Sequence, residues 1–282
     1  MAARLRQLRR RIRNIQRIRQ IAKAMHTIAS SQVILRKREL LSARPFPEEM
    51  RLILSELASW ARANFYIHPF FAGNKGQGYG LLVVNADRGL CGRYVDEVNH
   101  AALRFLRDHE NTQLVVLGDK AIRFFRHGPW TMRKTYRRVE RPTLAHAQEI
   151  QGQLLSLYHE VSEIHAIYTE FKGELVQRVR VERLLPIPLQ ETTPREFFVE
   201  PDLPTLIEEL GQTWLLGKVH QILLEAKTAE HAARRQAMKA ATDNADELLQ
   251  KLTIQYNKAR QQRITLELMD ILGGAEAIKE EL

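Results

Sequence analysis

The chain has 282 residues, is 44% hydrophobic and carries a formal net charge of +10. That length supports one or two ordinary domains with cores of their own. The longest purely aliphatic run, residues 81–84, is far too short to cross a bilayer. The single cysteine, Cys91, excludes intrachain disulfides and cysteine-cluster metal sites, and its plain reading is a reducing compartment. Charge is concentrated at the start: residues 1–44 hold thirteen Lys and Arg against one acid, Glu39, which leaves the rest near −2. Such asymmetry fits nucleic acid, an anionic membrane, a transit peptide or an acidic protein partner.

Residues 3–44 contain neither glycine nor proline. Leu5, Leu8, Ile12, Ile15, Ile18, Ala22, Met25, Ala29 and Val33 recur there at steps of three and four, which predicts a long amphipathic helix with most of its arginines off the stripe. Pro45 and Pro47 end or kink it. A second helix is predicted over 48–62, with Leu52, Ile53, Leu57 and Trp60 apolar. Four glycines between Gly73 and Gly80 then break the pattern. No Walker spacing fits them and they precede a strand, so a solvated linker is favoured over a phosphate cradle.

An α/β segment follows. Strands are predicted at 81–85, 113–117, 163–171 and 176–185, and helices at 94–108, 120–126 and 143–161, with a turn at 87–92. The alternation predicts a mostly parallel, three-layer sheet with an antiparallel edge at the last pair. Past Pro186 and Pro188 a connector leads to Thr205, which with Glu208 matches a capping box and marks the start of the last helix. Residues 226–272 again lack glycine and proline. Ala226, Ala229, Ala233, Ala237, Ala241 and Ala245, then Leu248, Leu252, Tyr256 and Ala259, share one face, while Arg234, Lys239, Asp243, Asp246, Lys251 and Lys258 lie opposite. A helix over that stretch spans roughly 70 Å, and so small a face invites a second helix alongside. Gly273 and Gly274 would end or interrupt it. The fold class is therefore α/β: an antiparallel coiled coil of the N- and C-terminal helices plus a central Rossmann-like domain. The expected divisions are 1–62 for the first shaft helix and its continuation, 63–78 a linker, 79–190 the α/β domain, 191–204 a connector and 205–282 the second shaft helix.

Four features bear on a possible site. The strand, turn and helix over 81–108 have the outline of a phosphate loop, but G-x-G-x-x-G is absent and Gly89 to Gly92 has the wrong spacing. Cys91 is a nucleophile or a small buried apolar residue; no motif places a histidine beside it, which favours burial. The ten histidines form no metal-ligand pattern. The basic run of residues 9–13 suits nucleic acid or a solvated, acid-facing coiled-coil surface. The lack of interleaved aromatics favours the second.

A resemblance is carried by the last helix. Ala229 to Arg234 (AEHAAR), Met238 to Asn244 (MKAATDN), Tyr256 to Gln261 (YNKARQ), and Ile264 with Thr265, resemble the shaft signature of the gamma subunit of F-type ATP synthases. Asp87 to Gly92 (DRGLCG), Arg10 to Arg13 with Ile21 to Met25, Leu184 to Ile187 and Glu200 to Asp202 are similar to further motifs of that family. The two-cysteine insertion of the chloroplast form is absent, so the resemblance is to a bacterial type. It implies a rotor with no catalytic site, cofactor or metal of its own. Its partners would be the alpha and beta subunits, the epsilon subunit and the membrane c-ring, without nucleic acid and without insertion into the membrane, on whose cytoplasmic side it would sit. It assigns Met25, Lys23, Arg260 and Gln261 to the beta subunit, Glu200 and Phe197 to the foot facing the c-ring and epsilon, and the six alanines from Ala226 to Ala245 to helix pairing. It also implies that the arginine-rich start is mature shaft sequence, not a cleaved leader.

Overall fold

The computed structural model describes residues 2–193, 199–200 and 202–280. Helices α1 (Ala2–Ala43), α2 (Pro45–Ala63) and α3 (Pro69–Ala72) come first. Strand β1 (Tyr79–Val84), α4 (Tyr94–Asp108), β2 (Thr112–Leu117), α5 (Asp119–Phe125) and β3 (Thr131–Tyr136) follow. Helix α6 (Leu144–Tyr158), β4 (Glu163–Phe171), β5 (Gln177–Leu185) and α7 (Leu203–Glu280) complete the chain. It divides into two compact units, residues 29–236 and the pair of segments 1–28 and 237–282.

In the first unit the five strands order as β3-β2-β1-β4-β5. The pairs β1–β2, β1–β4 and β2–β3 are parallel and β4–β5 is antiparallel, which is the predicted edge. Strand parity sorts the core. Leu81 and Val83 point to a layer built with Val98, Ala102, Ile122 and Phe125 of α4 and α5. Leu82 and Val84 point the other way, to Ile150 and Leu154 of α6 and to Trp214, Val219 and Ile222 of α7. Strand β3 was not foreseen. Its sequence, Thr131 to Tyr136, is mostly exposed and charged, as suits an edge strand, and carries no apolar alternation.

Other expectations are corrected. The buried face of α2 is Leu54, Leu57, Ala58 and Ala61, whereas Leu52 and Ile53 are exposed. The glycine stretch is not a solvated linker: Asn74 bonds the Tyr158 carbonyl, Ser162 N–H donates to Gly78 O at 3.0 Å, and a Cβ on Gly76 would overlap the Val161 backbone. Helix α7 starts at Leu203, and its first turn is capped by Asp202, whose Oδ1 accepts from Thr205 N at 2.9 Å, in place of the Thr205–Glu208 box. The backbone stays helical through Gly273 and Gly274.

In the second unit, α1 and α7 run antiparallel. Arg9 donates to Tyr256 Oη at 2.7 Å, and ten residues further along α1 Arg19 pairs with Asp246, ten residues back along α7. Leu5 and Leu8 bury against Ala259, flanked by Leu252 and Tyr256. The seam alternates steps of three and four without exception. On α1 it passes through Leu8, Ile12, Ile15, Arg19 and Ala22, and on α7 through Ala245, Leu249, Leu252, Tyr256 and Ala259. That regularity excludes Ile18, which is 54% exposed, and Leu248, which is 46% exposed, from the stripes assigned to them above.

Candidate functional site

The parallel strands end in a crest of loops where the strand order reverses, the usual ligand position of a doubly wound sheet. Here the crest is filled by its own charges. Asp87 follows β1; its Oδ1 accepts from Asp119 N after β2 at 3.2 Å and from Arg138 N after β3 at 2.9 Å. One carboxylate thus ties three loops together. Among the described residues its Oδ2 accepts no hydrogen bond, and it lies 3.8 Å from Lys227 Nζ of α7. Gly118 makes the same crest possible: its φ is +102°, and a Cβ there would collide with the Asn85 carbonyl.

The glycine-bearing turn rests on α7 through a buried ion network. Glu230 bonds Lys227 Nζ at 2.9 Å and Arg234 Nη2 at 2.7 Å. Arg234 also donates to Gly89 O at 3.3 Å and Arg88 O at 3.2 Å, so one guanidinium reads two successive carbonyls of the turn. Burial alone would push the Glu230 carboxyl up, but Lys227 and Arg234 outweigh it and hold its pKa below the ordinary carboxylate value. Burial pushes the Cys91 thiol up, Arg234 offsetting only part of it, so the sulfur is an inert core atom and no activated nucleophile. Tyr94 completes the contact by donating to Ala226 O at 2.9 Å.

A second clamp lies one turn before. Arg44, between α1 and α2, grips Glu225 with Nε at 2.8 Å and Nη2 at 3.1 Å and donates to Phe171 O at 2.6 Å. Glu225 in turn accepts from Phe171 N at 2.8 Å and is 3% exposed. The end of β4, the α1–α2 junction and α7 are thereby fixed to one carboxylate. Arg44 is held above the ordinary arginine value chiefly by its hydrogen bond to Glu225.

Of the residues assigned from sequence, Arg234 was placed on the outer face and is instead buried at 4% exposure. In the unit of residues 29–236, Ala229 packs with Val33 and Leu40 of α1 and with Ala86 and Cys91, flanked by Ala233, whereas Ala226 joins the core beneath the sheet. In the other unit, Ala245 is buried and Ala237 and Ala241 are half-buried. Met25 is half-buried and falls on an outward apolar stripe with Ile18, Ile21 and Ile28, beside exposed Lys23. Gln261 is exposed, and Arg260 lines a groove of about 340 Å³ with Arg6, Arg9, Arg263, Tyr256 and Glu267. Glu200 is exposed; Phe197 lies outside the described residues. Sequence reasoning missed Lys227, Glu225 and Glu230. The Glu230–Arg234 spacing of four was the available signal.

The family model described as ATP synthase matches residues 4–278, which sets the class. Relatives named ATP synthase gamma chain match end to end: that of Mycobacterium marinum at 35% identity and that of Mycolicibacterium smegmatis at 37%, each over 99% of both chains. The chain belongs to the ATP synthase gamma chain family. It is thus a non-catalytic subunit of that complex. Among solved structures, the Tetrahymena thermophila mitochondrial ATP synthase central stalk and c-ring aligns with TM-score 0.65 at 22% identity, covering 78% of this chain and 99% of that one. The Euglena gracilis mitochondrial ATP synthase gives TM-score 0.65 at 16% identity, covering 99% and 95%. At these identities the structures share its fold.

Proposed function

We propose that this chain is the central-stalk rotor subunit of an F-type ATP synthase. It transmits torque between the membrane c-ring and the catalytic alpha/beta ring, and so couples ion translocation to ATP synthesis or hydrolysis. The observation that carries this reading is the locking of α7 to the sheet. Between Glu225 and Arg234, two ion networks, each centred on a carboxylate no more than 4% exposed, bind one unbroken helix to the ends of β1 and β4. A helix that must transmit twist needs such a seat, because surface ion pairs contribute too little to resist it.

Within this reading Met25, Lys23, Arg260 and Gln261 meet the beta subunit, Glu200 and Phe197 belong to a foot facing the c-ring and epsilon subunit, and Ala226 to Ala245 serve helix pairing. Residues 1–62 and 205–282 form the shaft and 79–190 the foot, with 63–78 and 191–204 between them. No described helix is long and apolar enough to span a bilayer. The same reading puts the chain at the periphery of the membrane, on its cytoplasmic side. The test is co-purification: tagged chain drawn gently from membranes brings alpha and beta subunits in a complex that hydrolyses ATP. Recovery of the chain without them refutes the reading.

A further inference from the structure

The hairpin of β4 and β5 touches α7 at both ends. Its strands pair up to Phe171 and Gln177, leaving residues 172–176 as the tip. The tip is closed on itself: Gly173 N–H donates to Val176 O at 3.2 Å and Gln177 Nε2 to Glu174 O at 3.3 Å. That Glu174 carbonyl also accepts from Gln236 Nε2 of α7 at 2.6 Å. The Glu174 carboxylate takes Arg235 Nη2 at 2.9 Å, and the Arg235 side chain is only 19% exposed. The base of the same hairpin is held where Phe171 N donates to Glu225 at 2.8 Å. Base and tip therefore meet α7 eleven residues apart, about 16 Å along its axis.

Position around the helix decides what these contacts do. At about 100° per residue, Gln236 returns to within about 20° of Glu225, so the hairpin follows one face of α7. Lys227, Glu230 and Arg234, which hold the crest, fall about 140–200° from Glu225, on the far side and at heights between the hairpin's two contacts. Arg235 stands on the flank between the two faces. A helix held on one face only can roll about that line of contact; held on opposite faces it cannot. Gln236 is also the last residue of the compact unit 29–236, so the tip acts where α7 leaves that unit. We propose that the hairpin tip is the second jaw of a grip on α7, with Glu174 as a positioning residue that stops the helix rolling against the crest. The proposal rests on the rotor reading, under which α7 carries twist.

The experiment uses the assembled complex, its catalytic ring fixed to a surface and a bead attached to this chain. The thermal swing of the bead reports the torsional stiffness of the shaft. Glu174→Gln combined with Gln236→Leu is expected to widen the swing, with the melting temperature of the purified chain unchanged. In that purified chain the amides of residues 233–238 are expected to exchange about five- to tenfold faster, the loss of one exposed pair and one hydrogen bond. Lys239→Gln with Asp243→Asn, an exposed pair on the same helix, is expected to leave swing and exchange as in the parent. Glu174→Arg alone should widen the swing, and adding Arg235→Glu should narrow it again. An unaltered swing in the Glu174→Gln, Gln236→Leu complex overturns the proposal. So does a widened swing that comes with a lowered melting temperature, or one that the charge exchange does not narrow. A chain that enters no complex with alpha and beta subunits refutes the rotor reading instead, and the exchange rates of the purified chain then still decide whether the tip holds α7.

Discussion

Glu230 shows how a single side chain can carry a structural junction. It is 4% exposed on the side chain and accepts from two cations, one of which holds the crest turn. Removing one partner of a buried pair leaves the others charged in a poor solvent. Glu230→Ala should therefore cost about 3–5 kcal/mol in urea unfolding, several times the effect of an exposed pair such as Lys239–Asp243. The same site predicts acid sensitivity. Glu230 titrates lower folded than unfolded, so its stabilisation is present above the ordinary carboxylate pKa and is lost as pH falls through the folded value. Its neighbour His231 acts in the same direction. Burial lowers its pKa to about 4, Glu230 pulling it up and Arg234, Lys227 and Arg36 down. Between the ordinary histidine value of about 6.5 and about 4, the unfolded chain binds a proton that the folded chain refuses. Urea midpoints should fall across that window, and His231→Gln should flatten the fall between pH 6.5 and 5.

At the scale of elements, two glycines inside α7 break helix propensity for a packing reason. Gly211 lies under the Phe70 ring and Gly217 under that of Phe46. Gly211→Ala would gain about 1 kcal/mol as a helix former, yet its methyl would overlap the Phe70 ring, and overpacking costs about 1–3 kcal/mol. A lowered melting temperature is expected; a raised one would mean that the ring gives way freely. Strands β1 and β2 were legible because Leu81 to Val84 and Leu114 to Leu117 are apolar runs bounded by turn residues, and β4 and β5 because β-branched and aromatic residues recur between Glu163 and Leu185. Strand β3 was not, since Arg133 and Lys134 are what an edge requires and no pattern announces an edge. The long helices were read correctly as a pair, but which residues face inward depends on strict three-four alternation, which puts Arg19 in the seam and Ile18 outside. The crest turn was visible in Asp87 to Gly92. Its partners on α7 were hidden, because a charged residue on a helix reads as solvated until a dry neighbour is known.

For the whole molecule, the groove at Arg260 is the place to test transmission to a partner. Arg6, Arg9, Arg260 and Arg263 line it with one acid, Glu267, which pairs with Arg263 at 2.6 Å. Arg260 is exposed, so Arg260→Ala should leave the unfolding midpoint within about 0.5 kcal/mol of the parent. In the assembled complex it should weaken the coupling of ion flow to ATP turnover, with Arg260→Lys recovering less than charge alone implies. Equal synthesis and hydrolysis rates in parent and Arg260→Ala complexes would remove Arg260 from the mechanism.

The Arg19–Asp246 pair has a further effect, on alignment. An all-apolar seam of small side chains is nearly self-similar every seven residues, so two such helices under load can creep past each other by a heptad. Here creep is indexed. Sliding one way brings Arg19 opposite Lys239, and sliding the other way brings it opposite Thr253. One misalignment sets like charges together and the other leaves both charges unmatched. At 38% and 49% side-chain exposure the pair bears little load itself; it marks, among otherwise interchangeable alignments, the one in which both charges are met.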